Sequence, residues 1–337
     1  MFLDFTQSNQ SKKDTIIFRY ITKSYRGKHM APAIKLNQLR AFVEVSRHGS
    51  IRAASRFLQL SQPALTKSIR ELESTLGAKL FIRSNQGIYL TECGEGFLRR
   101  ASLILEELRV GQEEISQRIG LIGGTVNIGV AGSIARSLMP KVVTQFHRDF
   151  PNIKLRIMEG QLLTMLTQLR QGELDFTINT YYPGSLDAEF NFERLMQKEY
   201  KVIMRKDHPL RHAKSLSELV DCDWTMPTPK GTYYKQLADV FSLMERPMVF
   251  SVTCETLIGC LSLVAQSDFL TIVSVDTIDE PLFEQRYIAL DLKEQLPYAT
   301  FALVQRRDAT LTPAGEHLAR LFRIYCRNND DGNKVGR

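Results

Sequence analysis

The sequence predicts a mixed α/β chain: a small helical head closed by a hairpin, a long helix, and a body of alternating strands and helices. Three observations carry this. Apolar residues follow helical spacing through three short segments between residues 36 and 76, an apolar seam runs at spacings of four and three from Phe97, and short apolar runs alternate with helical stretches after Thr125. At 337 residues, 43% of them hydrophobic, the chain can fill two or three separate cores.

The first helical segment places Leu36, Leu39, Phe42, Val43 and Val45 on one side and closes at His48 and Gly49. Ser50 is set to cap a second helix with Ile51, Ala54 and Leu58 inward and Arg52 and Arg56 outward. After the turn at Gln59 and Leu60, Ser61 caps a third helix with Pro63 in its first turn, where a missing N–H costs little. Leu65, Ile69, Leu72 and Leu76 form its seam. The opposite face carries Pro63, Thr66, Lys67 and Arg70, with Gln62 at the N-terminal end. A helix–tight turn–helix unit with such a donor-rich face suits a DNA major groove: glutamine pairs with adenine, and Lys or Arg reaches guanine or phosphate. A plain bundle helix would explain the seam but not the short second helix and tight turn. Gly77 ends the third helix. Leu80, Phe81 and Ile82 then form a strand that turns at Ser84, Asn85, Gln86 and Gly87 and returns through Ile88, Tyr89 and Leu90, a wing whose Arg83 is either a backbone or minor-groove contact or an ordinary surface arginine.

Charge supports this placement. The formal charge is +7, with six Lys or Arg against two Asp in residues 1–29 (+4) and nine against three acids in residues 31–90 (+6), so residues 91–337 carry −3. A basic N-terminal quarter on a mildly acidic body is the distribution expected when one end touches phosphates. Residues 1–33 read as a basic extension without periodicity, either disordered or, through residue 29, preceding a translation start at Met30.

Thr91 caps the long helix, whose Phe97, Ala101, Ile104, Leu108 and Ile115 form an a/d seam, weakened where Gly111 takes a seam position, and which ends near Gly123 and Gly124. One small reading helix contacts few bases, so a two-fold pair reading two half-sites is expected. Cys93, Cys222, Cys254, Cys260 and Cys326 lack the paired spacing of a zinc site, and their odd number argues against a disulfide framework, so no metal is expected. Cys93 reads as a buried thiol. No run approaches about 18 apolar residues and no cleavable leader is evident, which predicts a soluble, cytoplasmic protein without membrane attachment.

The run A-A-S-R-x-L-x-x-S-Q-P-A-L-T-K-S-I-R-E-L-E-x-x-L-G-A-K-L-F-I-R, Ala53 to Arg83, resembles the signature of LysR-type transcriptional regulators, and the resemblance extends over residues 34–326 by pattern and order. It implies Gln62, Pro63 and Thr66 at base edges, and Arg52, Arg56, Lys67, Arg70 and Arg83 mainly on phosphates. It further implies a winged helix-turn-helix over 34–90, a linker and dimerisation helix over 91–122, a two-subdomain effector domain over 123–326 like a periplasmic solute-binding fold, and a polar tail over 327–337. Partners by the same resemblance are double-stranded DNA, a small-molecule effector, a second copy in dimers and tetramers, and RNA polymerase.

In the body, strands are expected at 126–130, 155–158, 174–178, 200–204, 224–226, 249–253, 269–273 and 298–304, in the order of a parallel sheet, with Thr312 capping a last helix. Ligands of such sheets sit beyond the carboxyl ends of strands. Ser133 follows the first strand with Ile134 and Arg136. It is either an anion-receiving hydroxyl or a simple helix cap. Gly160, beside Glu159 and Gln161, follows the second strand; Thr180, Tyr181 and Tyr182 follow the third, where the chain is expected to cross between subdomains. Thr228, Lys230, Thr232 and Tyr233 belong to the richest loop, in which at most one of Tyr233 and Tyr234 meets ligand. Thr256 is a further donor, and the neighbouring Glu255 binds an amine or satisfies a helix dipole. The stretch Arg156 to Tyr182 resembles the subgroup that regulates p-aminobenzoyl-glutamate utilisation, which implies a carboxylated aromatic effector.

No G-x-S-x-G, Walker or H-E-x-x-H motif is present, so neither an enzyme nor a cofactor is expected. A transport-type solute-binding protein would share the body but leave the basic head unexplained.

Overall fold

The structure is a computed structural model and describes residues 33–84, 87–119, 123–182, 188–226, 233–242, 250–278 and 283–335. The chain divides into two compact units, the first ending at Leu105.

In the first unit, helix α1 (Leu36–His48) buries Leu39, Phe42, Val43 and Val45. It stops at Gly49, whose φ of 59° is open to glycine at no steric cost. Ser50 then caps α2 (Ile51–Phe57) by accepting the Ala53 N–H at 3.4 Å, and Ser61 caps α3 (Gln62–Leu76) by accepting the Ala64 N–H at 3.3 Å. Between them Gln59 has a φ of 55°, the one positive φ of a non-glycine among the described residues, and this makes the turn tight. Leu65, Ile69 and Leu72 enter a core shared with α1 and Ala54.

Strands β1 (Phe81–Ser84) and β2 (Gly87–Leu90) pair antiparallel, Phe81 opposite Leu90. Two contacts fix this hairpin to the helices. The Ile88 N–H donates to the Gly49 carbonyl at 3.2 Å, and the buried Glu73 carboxylate accepts the Leu80 N–H at 2.9 Å and Lys79 Nζ at 2.7 Å. Burial pushes the Glu73 carboxyl up, but the hydrogen bonds from Lys79, Leu80 and Phe81 and the Lys79 charge outweigh it and hold it below the usual range. The start of α4 (Glu92–Arg118) joins the same unit: Thr91 Oγ1 accepts the Gly94 N–H at 2.9 Å and donates to the Lys79 carbonyl at 2.7 Å. Ala101 is buried in this core, and Phe97, Leu98 and Leu105 pack on it. Further along, the seam residues Ile104, Leu108 and Ile115 are exposed. Cys93 is exposed rather than buried, because the helix turns Gly94 to the core in its place.

The second unit begins with the rest of α4 and holds β3 (Thr125–Val130), α5 (Gly132–Ser137), α6 (Met139–Asp149), β4 (Lys154–Glu159), α7 (Leu162–Gln171), β5 (Phe176–Tyr181) and β6 (Phe190–Lys198). It continues with β7 (Tyr200–Arg205), β8 (Trp224–Met226), α8 (Tyr233–Ser242), β9 (Phe250–Thr253), α9 (Leu257–Gln266), β10 (Thr271–Ser274), α10 (Val275–Ile278), α11 (Phe283–Arg286), β11 (Tyr287–Ala289), β12 (Ala299–Arg306) and α12 (Pro313–Val335). One sheet has the order β4-β3-β5-β12-β6, with β12 antiparallel to both neighbours. A second has the order β10-β7-β11, to which the parallel pair β8-β9 is joined by a bridge from Trp224 to Leu270.

Two expectations are therefore corrected. The sheets are mixed rather than parallel. The chain also does not cross after Tyr182: β5 and β6 share one sheet, and the crossing falls at Glu199, between β6 and β7. Strand β6 escaped the sequence because a bulge opposite Phe301 and Ala302 breaks its alternation around Glu193, Arg194 and Leu195.

Where the second half of α4 meets this unit, Arg109 pairs with Glu106 and Glu113 and lies 3.9 Å from Asp175. Asp175 accepts the Asn127 N–H at 2.7 Å. Burial, with Glu106 and Glu113 adding repulsion, outweighs the Asn127 bond and the Arg109 charge and pushes the Asp175 carboxyl up to about 6.

Candidate functional site

In the first unit, the buried seam of α3 fixes which residues look outward. Gln62, Pro63, Lys67 and Arg70 are exposed and Thr66 is half-buried, all along one face. The helix N-terminus, with its capped but solvent-facing N–H groups, presents Gln62 and Pro63 first. Lys67 Nζ lies 3.9 Å from Glu71, which also accepts from Gln38 Nε2 at 3.2 Å, so Glu71 positions the lysine at one edge of the face. Arg52 and Arg56 are exposed on α2. Arg83 lies in β1, with its side chain outside the described residues.

In the second unit, a cavity of about 60 Å³ lies between the two sheets. From the first half come Ala131, Gly132 and Ser133 before and within α5, Glu159 at the end of β4 with Gly160 and Gln161 after it, and Thr180 on β5; the second half gives Tyr200, Tyr234, Glu255, Leu257, Cys260, residues 271–274 and Thr277. Its size falls well below the roughly 300 Å³ at which ligand pockets usually begin, so the cleft is nearly shut. Gly132 permits that approach: a Cβ there would lie 2.9 Å from both Glu159 Oε1 and Leu257 Cβ. Ser133 hydrogen-bonds the buried Tyr200, whose phenol burial pushes far up despite that bond, so it serves as a neutral donor and acceptor.

Ser133, Gly160 and Thr180, expected from the sequence, thus come together. Five others do not line the cavity. Ile134 faces the hydrophobic core, Arg136 lies a turn along α5 with its charge acting on Tyr287, and the Tyr181 ring stacks on Phe192 at 4.9 Å. Tyr233 is buried, donating to the Pro297 carbonyl at 2.6 Å, and its neighbour Tyr234 takes the lining position. Thr256 Oγ1 is occupied as the α9 cap, accepting the Gly259 N–H at 3.1 Å. Thr228, Lys230 and Thr232 lie outside the described residues. The sequence did not point to Tyr200, which opens a strand instead of ending one, to Thr277, which follows the end of β10 and obeyed the rule applied to the earlier strands, or to Leu257, Cys260 and residues 271–274.

A winged helical head with an outward polar helix face, followed by a two-sheet body with a small cleft, defines the class of helix-turn-helix DNA-binding regulators. Residues 36–95 match the bacterial regulatory helix-turn-helix family of lysR type, and residues 120–327 match the LysR substrate binding domain. The chain belongs to the LysR family of DNA-binding transcriptional regulators, and not to an enzyme family. It is 28% identical over 295 residues to the regulator TdcA of Escherichia coli K12, covering 88% of this chain and 94% of that one. With the regulator YdcI of the same organism it shares 30% identity over 283 residues, 83% of this chain and 92% of YdcI. CbnR, a LysR family regulator of known structure, has the same fold at 18% identity and a TM-score of 0.64, over 87% of this chain and 99% of CbnR.

Proposed function

We propose that the chain reads operator DNA through α3 and alters that binding when a small molecule occupies the cleft. In this reading Gln62, Pro63 and Thr66 meet base edges while Lys67, Arg70, Arg52, Arg56 and Arg83 hold phosphates. The observation that carries it is the division of α3: its apolar seam is buried and the opposite face carries polar groups without a packing role. CbnR has been seen with its target DNA, which supports a DNA partner for the same fold here.

Pairing through the exposed seam of α4 supplies the two-fold reader that a half-site spacing needs, and tetramers with RNA polymerase as a contact complete the assembly. The domain limits follow the same division: 34–90 reading DNA, 91–122 pairing, and 123–326 sensing, in a cytoplasmic protein. The effector is a small carboxylated molecule, p-aminobenzoyl-glutamate or another aromatic acid, for which the Ser133 and Thr180 hydroxyls provide polar groups in a lining that includes Gly160. A transport-type protein would use the cleft alone, and the polar face of α3 would then have no purpose.

The test is a gel shift and footprint on the protein's own promoter region at several salt concentrations. Retardation that weakens steeply with salt, a dyad footprint, and a footprint change with aromatic carboxylates are expected; absence of any retardation overturns the reading. A thermal-shift series of small carboxylates tests the effector class separately.

A further inference from the structure

Lys198 is an ammonium group in the interior, its side chain 3% exposed, at the last position of β6 immediately before the chain crosses between the sheets. Taking such a charge out of water is expensive unless partners surround it. Its partners come from both halves. Nζ donates to Ser137 Oγ on α5 at 3.2 Å and pairs with Asp276 on α10, and it lies 5.3 Å from the centre of the Phe301 ring.

Each partner leads back to the cavity. Ser137 Oγ donates to the Ser133 carbonyl at 2.7 Å, and Ser133 lines the cleft. Asp276 is flanked by Thr277, which lines the cleft and lies 3.3 Å, oxygen to oxygen, from Ser274, another lining residue. The α10 backbone is fixed at the crossing as well, since the Val275 N–H donates to the Glu199 carbonyl at 3.0 Å. Two short helices thus show one residue to the cavity and another to the same ammonium.

We propose that the Lys198–Asp276 pair, held with Ser137, is a hinge pin that couples occupancy of the cavity to the angle between the two sheets. This rests on the reading of the cleft as the effector site. A buried pair adds little stability that well-packed apolar residues could not supply, yet losing one partner strands a charge. Intermediate angles that stretch the pair are therefore penalised, and the body takes discrete arrangements. A ligand acts by favouring one of them through Ser133 or Thr277.

The experiment is hydrogen exchange on the full-length protein without added ligand, with operator footprints of the same variants. Ser137→Ala is expected to speed exchange about tenfold in residues 132–137 alone, Asp276→Asn in residues 275–278 alone, and Lys198→Met in both, with the first unit unchanged. The double variant Lys198→Met with Asp276→Leu, which leaves no stranded charge, is expected to recover the melting temperature but keep an operator footprint different from that of the parent. Uniform acceleration throughout the body, no acceleration in either segment, or a parental footprint from the double variant overturns the hinge pin. An effector whose protection maps outside the cleft overturns the effector reading instead, and leaves the exchange pattern of the three single variants to stand.

Discussion

Helix α3 carries its buried seam and its exposed face on one run of fifteen residues, whereas the cavity of the second unit gathers its lining from strand ends, helix starts and a mid-chain crossing between Ala131 and Thr277. In the first region, packing and the proposed recognition are two sides of one helix, and the packing side dictates the other. In the second, no element owns the site; its geometry exists only when both sheets are in place. Substitutions in the head should accordingly act locally and strongly. Those in the body should act through how its elements are held.

The hardest blow to that contrast is Gly94→Ala. A Cβ there would sit 2.2 Å from the Leu80 carbonyl oxygen, and no rotamer relieves a backbone contact. A loss of about 3 kcal/mol is expected in calorimetric unfolding of the first unit, with the transition of the second unmoved. If both fall together, the units do not act locally.

Asp175 probes the second region. Its carboxyl stands at about 6 when folded and near 3.9 when unfolded, so the folded state binds the proton more tightly. Its contribution to stability is full below the unfolded value and is lost as pH rises from about 4 to 6. Asp175→Asn keeps an acceptor for the Asn127 N–H and removes the ionisation. The difference in stability between variant and parent should grow in favour of the variant across that window, by an amount on the order of 2 kcal/mol, in denaturant titrations at stepped pH. A constant difference would show that the carboxyl is not held up by burial.

Smaller again, Gln62→Ala is expected to cost about 1.5 kcal/mol of operator affinity and to relax preference at one base position, measured by competition among operator variants. Equal losses on every sequence would reassign Gln62 to the phosphates. Gly111→Ala lies at the low end: nothing lies within 4 Å of its Cβ position, so a gain of up to about 1 kcal/mol from helix propensity is expected on thermal unfolding. A loss there would indicate that a second copy packs against Gly111.

The same contrast explains what could be read from the chain before its structure. Ser50, Ser61 and Gly77 announce their helices because capping is local chemistry, and the seam Leu65, Ile69, Leu72 needs only its own periodicity. Ser133, Gly160 and Thr180 were reachable by one rule about strand ends. Tyr234 could not be separated from Tyr233 without knowing which ring meets Tyr200, at 4.4 Å for Tyr233. Lys198 gave no signal: a lysine at the end of an unrecognised strand reads as a solvent charge until Asp276, seventy-eight residues away, is placed beside it.

The attachment of α4 to the wing bears on how such a regulator can be recombined. Thr91 closes onto Lys79, and Phe97, Leu98, Ala101 and Leu105 complete the core beneath α1 and α3. A chimera joined at residue 90 would inherit a reading head with its floor removed. The piece that can be exchanged between proteins as a whole extends to Leu105, and every exchange of specificity carries the first turns of α4 along with it.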